Sequence, residues 1–181
     1  ISSEEAEKVL QQKRKCINAV VEAAGKFQKS KTGALMVFEM QTKLGDIIDT
    51  GTIVNAEPSV PIIGNIFWNK APLHDGAMVI RDGMIYAAGC ILPLTKSDKV
   101  SIDLGTRHRA AIGMSENSDA IVVVVSEETG QISIAVNGVL TRNYTRETLQ
   151  SALEALLLPE ENANGEKRAS RIPSIRRGRK S

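Results

Sequence analysis

Asp119-Ala-Ile-Val-Val-Val-Val-Ser126 sets four valines in a row between polar ends. A strand with one wet face alternates apolar and polar residues, so an unbroken branched run marks a central strand buried on both faces. Downstream, Gln131 to Val136 alternates, and Asn137-Gly138 is a hairpin signal leading into Val139 to Asn143. Thr145 then caps a helix with Leu149, Ala152, Leu153, Leu156 and Leu157 on one face. Upstream, Leu104 to Ser115 reads as a helix, with Thr106 as N-cap and Ala110, Ala111 and Met114 as good helix formers.

Farther upstream the signals alternate irregularly. Residues 3–24 read as a helix, with capping-box spacing at Ser2 and Glu5 and a stripe of Val9, Cys16, Ile17, Val20, Val21 and Ala24. Lys13, Arg14 and Lys15 interrupt that stripe as a solvated turn, and a polar connector runs from Gly25 through Thr32. Gly33 to Glu39 reads as a buried strand, Asp46 to Thr50 as a second, and Gly51 to Pro61 as a mostly polar loop. Ile62 to Asn69 is a short apolar helix with the only tryptophan, Trp68, whose reading is packing, with adenine stacking as the alternative. Ala77 to Ile80 and Met84 to Ile91 form a hairpin across Asp82-Gly83, a type I′ signal, and Pro93 to Asp103 is a loop. The order predicts an α/β domain: a mixed central β-sheet with helices on both faces. Neither a dinucleotide-binding glycine motif nor a P-loop occurs.

Arg107, His108 and Arg109 fall on the first turn of their helix, just after Gly105-Thr106. That end already carries partial positive charge, so cations there are misplaced unless something negative is shared. Backbone N–H groups, the Thr106 hydroxyl and two guanidinium forks together suit a phosphate; solvated or acid-paired arginines are the other reading. In Pro72-Leu-His-Asp-Gly-Ala-Met-Val-Ile80, His74 and Asp75 precede Gly76 and an apolar strand. A carboxylate beside an imidazole at a strand edge fits a divalent cation on a phosphate chain. For His74 a neutral ring hydrogen-bonded at the strand end is the alternative.

These residues carry a family resemblance. Asp75-Gly76-Ala77 and Arg107-His108-Arg109 resemble the paired DGA and RHR motifs of the diadenylate cyclase (DAC) domain. Gly33-Ala-Leu, Asp49-Thr-Gly-Thr52, Ala87-Ala88, Leu92-Pro-Leu94 and Ser126-Glu-Glu-Thr-Gly130 resemble its membrane-associated, CdaA-type branch. The likeness runs from about Lys8 to Leu158. It implies the DAC-domain fold and the condensation of two ATP into cyclic di-AMP with release of two pyrophosphates.

By the same resemblance, Asp75 and His74 would hold Mg²⁺ or Mn²⁺, and Gly105, Thr106, Arg107, His108 and Arg109 the phosphate chain. Gly76, Ala77 and Leu92 would border the nucleotide, with adenine among Gly76, Leu92 and neighbouring backbone. Ile91 stands where some relatives carry an aromatic. Ser126 would contact phosphate, and Glu128 a metal or the positioned substrate. Catalysis would rest on Asp75, Arg107, His108 and Arg109. The implied product has two identical linkages, so a homodimer with one ATP per protomer at a face-to-face interface is expected. A binding module that holds ATP or a cyclic dinucleotide without turnover is the alternative, as is another nucleotidyltransferase or phosphatase.

Totals narrow the rest. The chain of 181 residues suits one domain, and 42% hydrophobic with 24% charged residues is an ordinary globular mix. Aromatics at 3% offer no stacking platform for single strands, and a net charge of +2 argues against specific nucleic-acid binding. Cys16 and Cys90 read as small core residues in a reducing compartment. No run reaches the ~20 apolar residues of a membrane span. The first residue is Ile1, as expected of a piece of a longer protein; CdaA-type relatives carry membrane helices ahead of the cyclase domain. That expectation puts the domain in the cytoplasm at the inner face of the cell membrane, associated through an N-terminal region outside this sequence. The expected division is a catalytic domain over 1–158, led by the 1–24 helix, and a basic, disordered tail over 159–181. Weak attraction of the tail to anionic lipid or nucleic acid is the alternative.

Overall fold

The computed structural model of the chain describes residues 2–98, 100, 104–161 and 167–168. Helix α1 (Ser3–Ser30) starts where Ser2 Oγ accepts the Glu5 N–H at 3.2 Å. It continues through Gly25, where the expected connector began, because Phe27 extends the buried stripe of Val20, Ala23 and Ala24 by another turn. Lys31, in the left-handed conformation at φ 52°, ends it.

Strand β1 (Ala34–Phe38) follows at once. The segment expected as a second strand is instead a helical turn, α2 (Gly45–Ile48), which buries Leu44 and Ile48. The strand itself comes later, as β2 (Thr52–Ala56), inside the stretch expected as a loop. It lies at a sheet edge with largely exposed side chains, so neither a buried run nor a clean alternation marks it in the sequence. Ser59 caps α3 (Val60–Phe67) through the Ile62 N–H, two residues before the expected start. Ile63, Ile66 and Phe67 then face the core, while Trp68 leaves the helix with ψ 129°. Trp68 is 72% exposed and does not pack, contrary to the expectation.

The two hairpins match the sequence reading. β3 (Ala77–Arg81) and β4 (Met84–Cys90) turn at Asp82 (φ 51°) and Gly83 (φ 76°). β6 (Ile132–Val136) and β7 (Val139–Tyr144) turn at Asn137 (φ 49°) and Gly138 (φ 78°). Two positive φ values in succession are what a type I′ turn requires. Between the hairpins lie α4 (Thr106–Glu116) and β5 (Ile121–Val125). Thr145 and Thr148 make a capping box at the start of α5 (Arg146–Leu157).

The seven strands form one mixed sheet in the order β2-β4-β3-β1-β5-β6-β7. Only β1 and β3 run parallel. α1, α3 and α5 cover one face over a core that includes Ile17, Phe67, Met36, Val123 and Leu149. α2 and α4 cover the other, over Val37, Val79, Val122, Val124 and Met114. All five residues of β5 are buried, as the valine run requires. Both cysteines lie in these cores, and burial pushes their thiols up to about 12 for Cys16 and about 11 for Cys90.

Beyond Pro159, Glu160–Glu161 and Lys167–Arg168 pair as a short antiparallel ladder where no order was expected; the rest of the basic tail lies outside the described residues. Among the described residues no helix is long and apolar enough to cross a membrane.

The sheet register assembles one end of the molecule. β1 and β3 are parallel, with Met36 opposite Met78, so both begin at the same end. β5 runs against β1 with Val125 opposite Ala34, so it finishes there. Gly33, Asp75-Gly76 and Ser126 therefore emerge side by side.

Candidate functional site

At that end a cleft of about 350 Å³ is lined by Asp75, Gly105, Thr106, Arg107, His108, Ser126, Glu127 and Glu128. Three separate stretches of sequence converge on it: the approach to β3, the start of α4, and the turn after β5.

The N-cap of α4 is Gly105, with ψ −177°, and Thr106 is the first helical residue, not the cap. Gly105 has no side chain to offer, and among the described residues no side chain caps this helix end. Among the described residues the first-turn N–H groups therefore lie at the cleft without a capping oxygen, an arrangement that suits a bound anion.

Successive helical residues point about 100° apart, and the basic triplet divides accordingly. Arg107 turns into the cleft, where its Nη1 lies 3.3 Å from Glu127 Oε2. His108 lines the cleft wall and is buried. Burial, reinforced by Arg142 and Arg107 and opposed by Glu128, holds its pKa below the ordinary 6.5. It is therefore a neutral hydrogen-bonding ring at neutral pH, not a cation. Arg109 does not line the cleft; its carbonyl accepts the Thr95 N–H at 3.0 Å.

Ser126 Oγ accepts N–H groups from Glu128 and Thr129, both at 3.2 Å, which folds the turn. With its lone pairs so engaged, the hydroxyl proton remains available to an oxyanion. Glu127 and Glu128 are both exposed on this turn. Glu127 is a cleft residue that the sequence reading passed over; its place beside Ser126 and Glu128 was the only signal for it.

Asp75 stands at the rim, its side chain 86% exposed, with Oδ1 3.2 Å from His74 Nε2. His74 Nδ1 lies 2.6 Å from the Ala71 carbonyl. A carbonyl only accepts, so Nδ1 carries a proton, and in the neutral ring Nε2 presents a lone pair toward the carboxylate. A cation between Nε2 and Oδ1 satisfies both, and an Nδ1–H bonded to a carbonyl is the usual support of a metal-bound histidine. Among the described residues no three His, Cys, Asp or Glu side chains gather as a metal cage. The donors present fit a hard cation that completes its shell from phosphate oxygens and water.

Gly76, Ala77 and Leu92 do not line the cleft. Ala77 is fully buried in β3, and Leu92 belongs to the core beneath α4. Gly76 packs against the backbone of Gly89 and Cys90, so its missing side chain accommodates β4.

Residues 21–140 match the DAC family, DisA bacterial checkpoint controller nucleotide-binding. The cyclic di-AMP synthase CdaA of Bacillus subtilis is 46% identical over 142 residues, covering 78% of this chain and 52% of that protein. The crystal structure of a double mutant of DacA from Staphylococcus aureus superposes with a TM-score of 0.73 at 43% identity, covering 84% of this chain and 97% of that one. A protein from Bacillus cereus described as a hypothetical membrane spanning protein superposes with a TM-score of 0.67 at 48% identity, over 70% of this chain and 62% of that one. The chain spans about half the length of the curated relatives it matches.

Proposed function

The chain belongs to the DAC nucleotide-binding family, and on that footing we propose that it is a diadenylate cyclase, condensing two ATP into cyclic di-AMP. The observation that carries the reading is the convergence of Asp75, the open start of α4, Arg107 and Ser126 on one cleft. A binding-only module has no need of an exposed carboxylate facing the phosphate cradle.

In each half-reaction a ribose 3′-oxygen attacks the α-phosphorus of the other ATP. The P–O bond to the β-phosphate breaks, pyrophosphate leaves, and the 3′ proton is lost. Such a transfer needs in-line positioning and neutralisation of spreading negative charge more than covalent help. The α4 N–H groups, the Arg107 fork and the Ser126 hydroxyl supply that neutralisation from fixed positions. His108, uncharged, adds a hydrogen bond without adding to the crowding of positive charge. Asp75 and His74 would hold Mg²⁺ or Mn²⁺; Glu128 lines the same cleft but does not gather with them into a three-residue cage. When bound, the metal lowers the pKa of the attacking hydroxyl and offsets charge on the phosphates.

Adenine would lie toward the segment after β4, where Leu92 is a buried backing and Ile91 is exposed. The active species would be a homodimer facing cleft to cleft. In its full-length setting the domain would sit at the inner membrane face, a placement supported by the likeness to a protein described as membrane spanning. The test of function is chromatography of the products after incubation with ATP and Mn²⁺. Cyclic di-AMP from ATP alone is the expected result; ATP binding without that product would favour the binding module.

A further inference from the structure

We infer that Gly33 is a positioning residue for Arg107: the side chain it lacks is the space through which that guanidinium reaches the cleft. The inference builds on the proposed role of Arg107 in holding phosphate. A Cβ built on Gly33 would stand 2.6 Å from Arg107 Nη1, 2.7 Å from Cζ and 3.2 Å from Nε. Three atoms of one planar group thus lie against the point where a methyl would sit.

Backbone conformation does not explain this glycine. Its φ is not among the positive values that Gly83, Gly89, Gly130 and Gly138 adopt, so an L-residue is allowed there. Packing against the main chain does not explain it either. At Gly76 and Gly113 the obstructing atoms are backbone, whereas at Gly33 they all belong to the tip of one arginine.

Gly33 is buried directly ahead of β1, at the end where β5 passes into Ser126. Its bare surface forms one wall for Arg107, and Glu127 meets the guanidinium on the cleft side. Arg107 is only 20% exposed as a result, although it serves an open cleft. A flexible side chain confined in this way presents its fork in one orientation, which is what two-point phosphate recognition requires. An added methyl can be accommodated by moving the arginine tip, so the fold survives and the fork is displaced.

The test is a double-mutant cycle on ATP affinity, measured by calorimetry with Mg²⁺. Gly33→Ala should weaken binding by roughly ten-fold, the scale of one good charge-assisted contact. In an Arg107→Ala background the same substitution should change nothing, because the group it displaces is gone. Equal losses in both backgrounds would mean a structural role and overturn the inference. A second readout needs no ligand. The Arg107 Nε–Hε cross-peak, assigned by its loss in Arg107→Lys, should move in Gly33→Ala while the melting temperature holds; an unmoved peak also overturns it. Product chromatography on the same proteins separates the two ideas. Coupled affinities with no cyclic di-AMP from the parent protein would sink the cyclase reading alone, and cyclic di-AMP with uncoupled affinities would sink the role of Gly33 alone.

Discussion

Arg107 and Glu127 face each other with Nη1 and Oε2 3.3 Å apart, one held against Gly33 and the other on the exposed turn after β5. The carboxylate occupies the guanidinium before any phosphate arrives. If Arg107 holds phosphate as proposed, substrate must exchange a carboxylate for a phosphate there, and the pair lowers net affinity by whatever it is worth. With Glu127 largely in solvent and Arg107 only partly so, the pair is screened on one side, and exposed pairs, its lower bound, contribute about 0.2–1 kcal/mol. At that bound Glu127→Gln should accordingly tighten binding of metal-free inorganic pyrophosphate by up to about five-fold. Weaker binding in calorimetry would mean that Glu127 assists the anion instead of competing with it.

Asp75 is separable from the fold because its side chain is almost wholly in solvent. Asp75→Asn keeps the shape but gives up a hard anionic ligand. Stability should stay within about 0.5 kcal/mol of the parent. Cyclic di-AMP formation should fall by roughly a hundred-fold or more, the scale of several kcal/mol of metal-assisted stabilisation. Near-normal synthesis by the verified variant would remove Asp75 from the metal site.

What could be read from the sequence was what local pattern controls. The valine run of β5 is buried on both faces, and the two I′ turns have the residues their φ values need. β2 escapes the pattern because its apolar Ile53, Val54 and Ala56 neither alternate with polar residues nor form a buried run, and α2 because one apolar helical turn has the length of a short strand. Trp68 is exposed because α3 ends at Phe67, one residue before it, and its extended ψ of 129° turns it away from the face that Ile63, Ile66 and Phe67 bury. The site followed the same division. Asp75 and Arg107 stood out as motifs, and the cleft joins them. The separation of Arg109 from Arg107, and the contact of Gly33 with Arg107, depend on how distant segments pack, which no local spacing records.

His108 gives a pH dependence whose sign follows from its environment. Burial first, then Arg142, and last Arg107 disfavour its charged form, while Glu128, a smaller influence than burial or Arg142, favours it. The folded pKa is below the ordinary 6.5, so between the two values the unfolded chain binds more protons than the native one. Stability should then be complete above that range and decline as pH falls through it. Glu39 acts in a different window. Burial alone would raise its carboxyl, but hydrogen bonds from Arg81 and the Leu44 N–H, with the charges of Arg81 and Lys43, hold it below the ordinary 4.5. Its stabilisation is lost only at lower pH. Melting temperatures between pH 7.5 and 5 should slope downward in the parent and flatten in His108→Gln. An unchanged slope in that variant would show that another group governs the range.

Oligomeric state follows from the symmetry of the proposed product. Each protomer has one such cleft lined by one Asp75 and one Arg107, a single cradle for the triphosphate of the proposed reaction. Cyclic di-AMP contains two identical 3′,5′ linkages related by a two-fold axis. Each ATP must act as nucleophile toward the other while its own α-phosphate is attacked. A single cleft supplies one phosphate cradle and cannot hold both α-phosphates in line at once. Two copies related by a two-fold axis, cleft to cleft, present both. If that contact is weak, activity per protomer should fall on dilution and approach linear dependence on protein concentration where monomers dominate. Sedimentation and product formation measured over the same dilution series test this. Constant activity per protomer, across a range in which sedimentation finds only monomer, would exclude the dimer as the catalytic species.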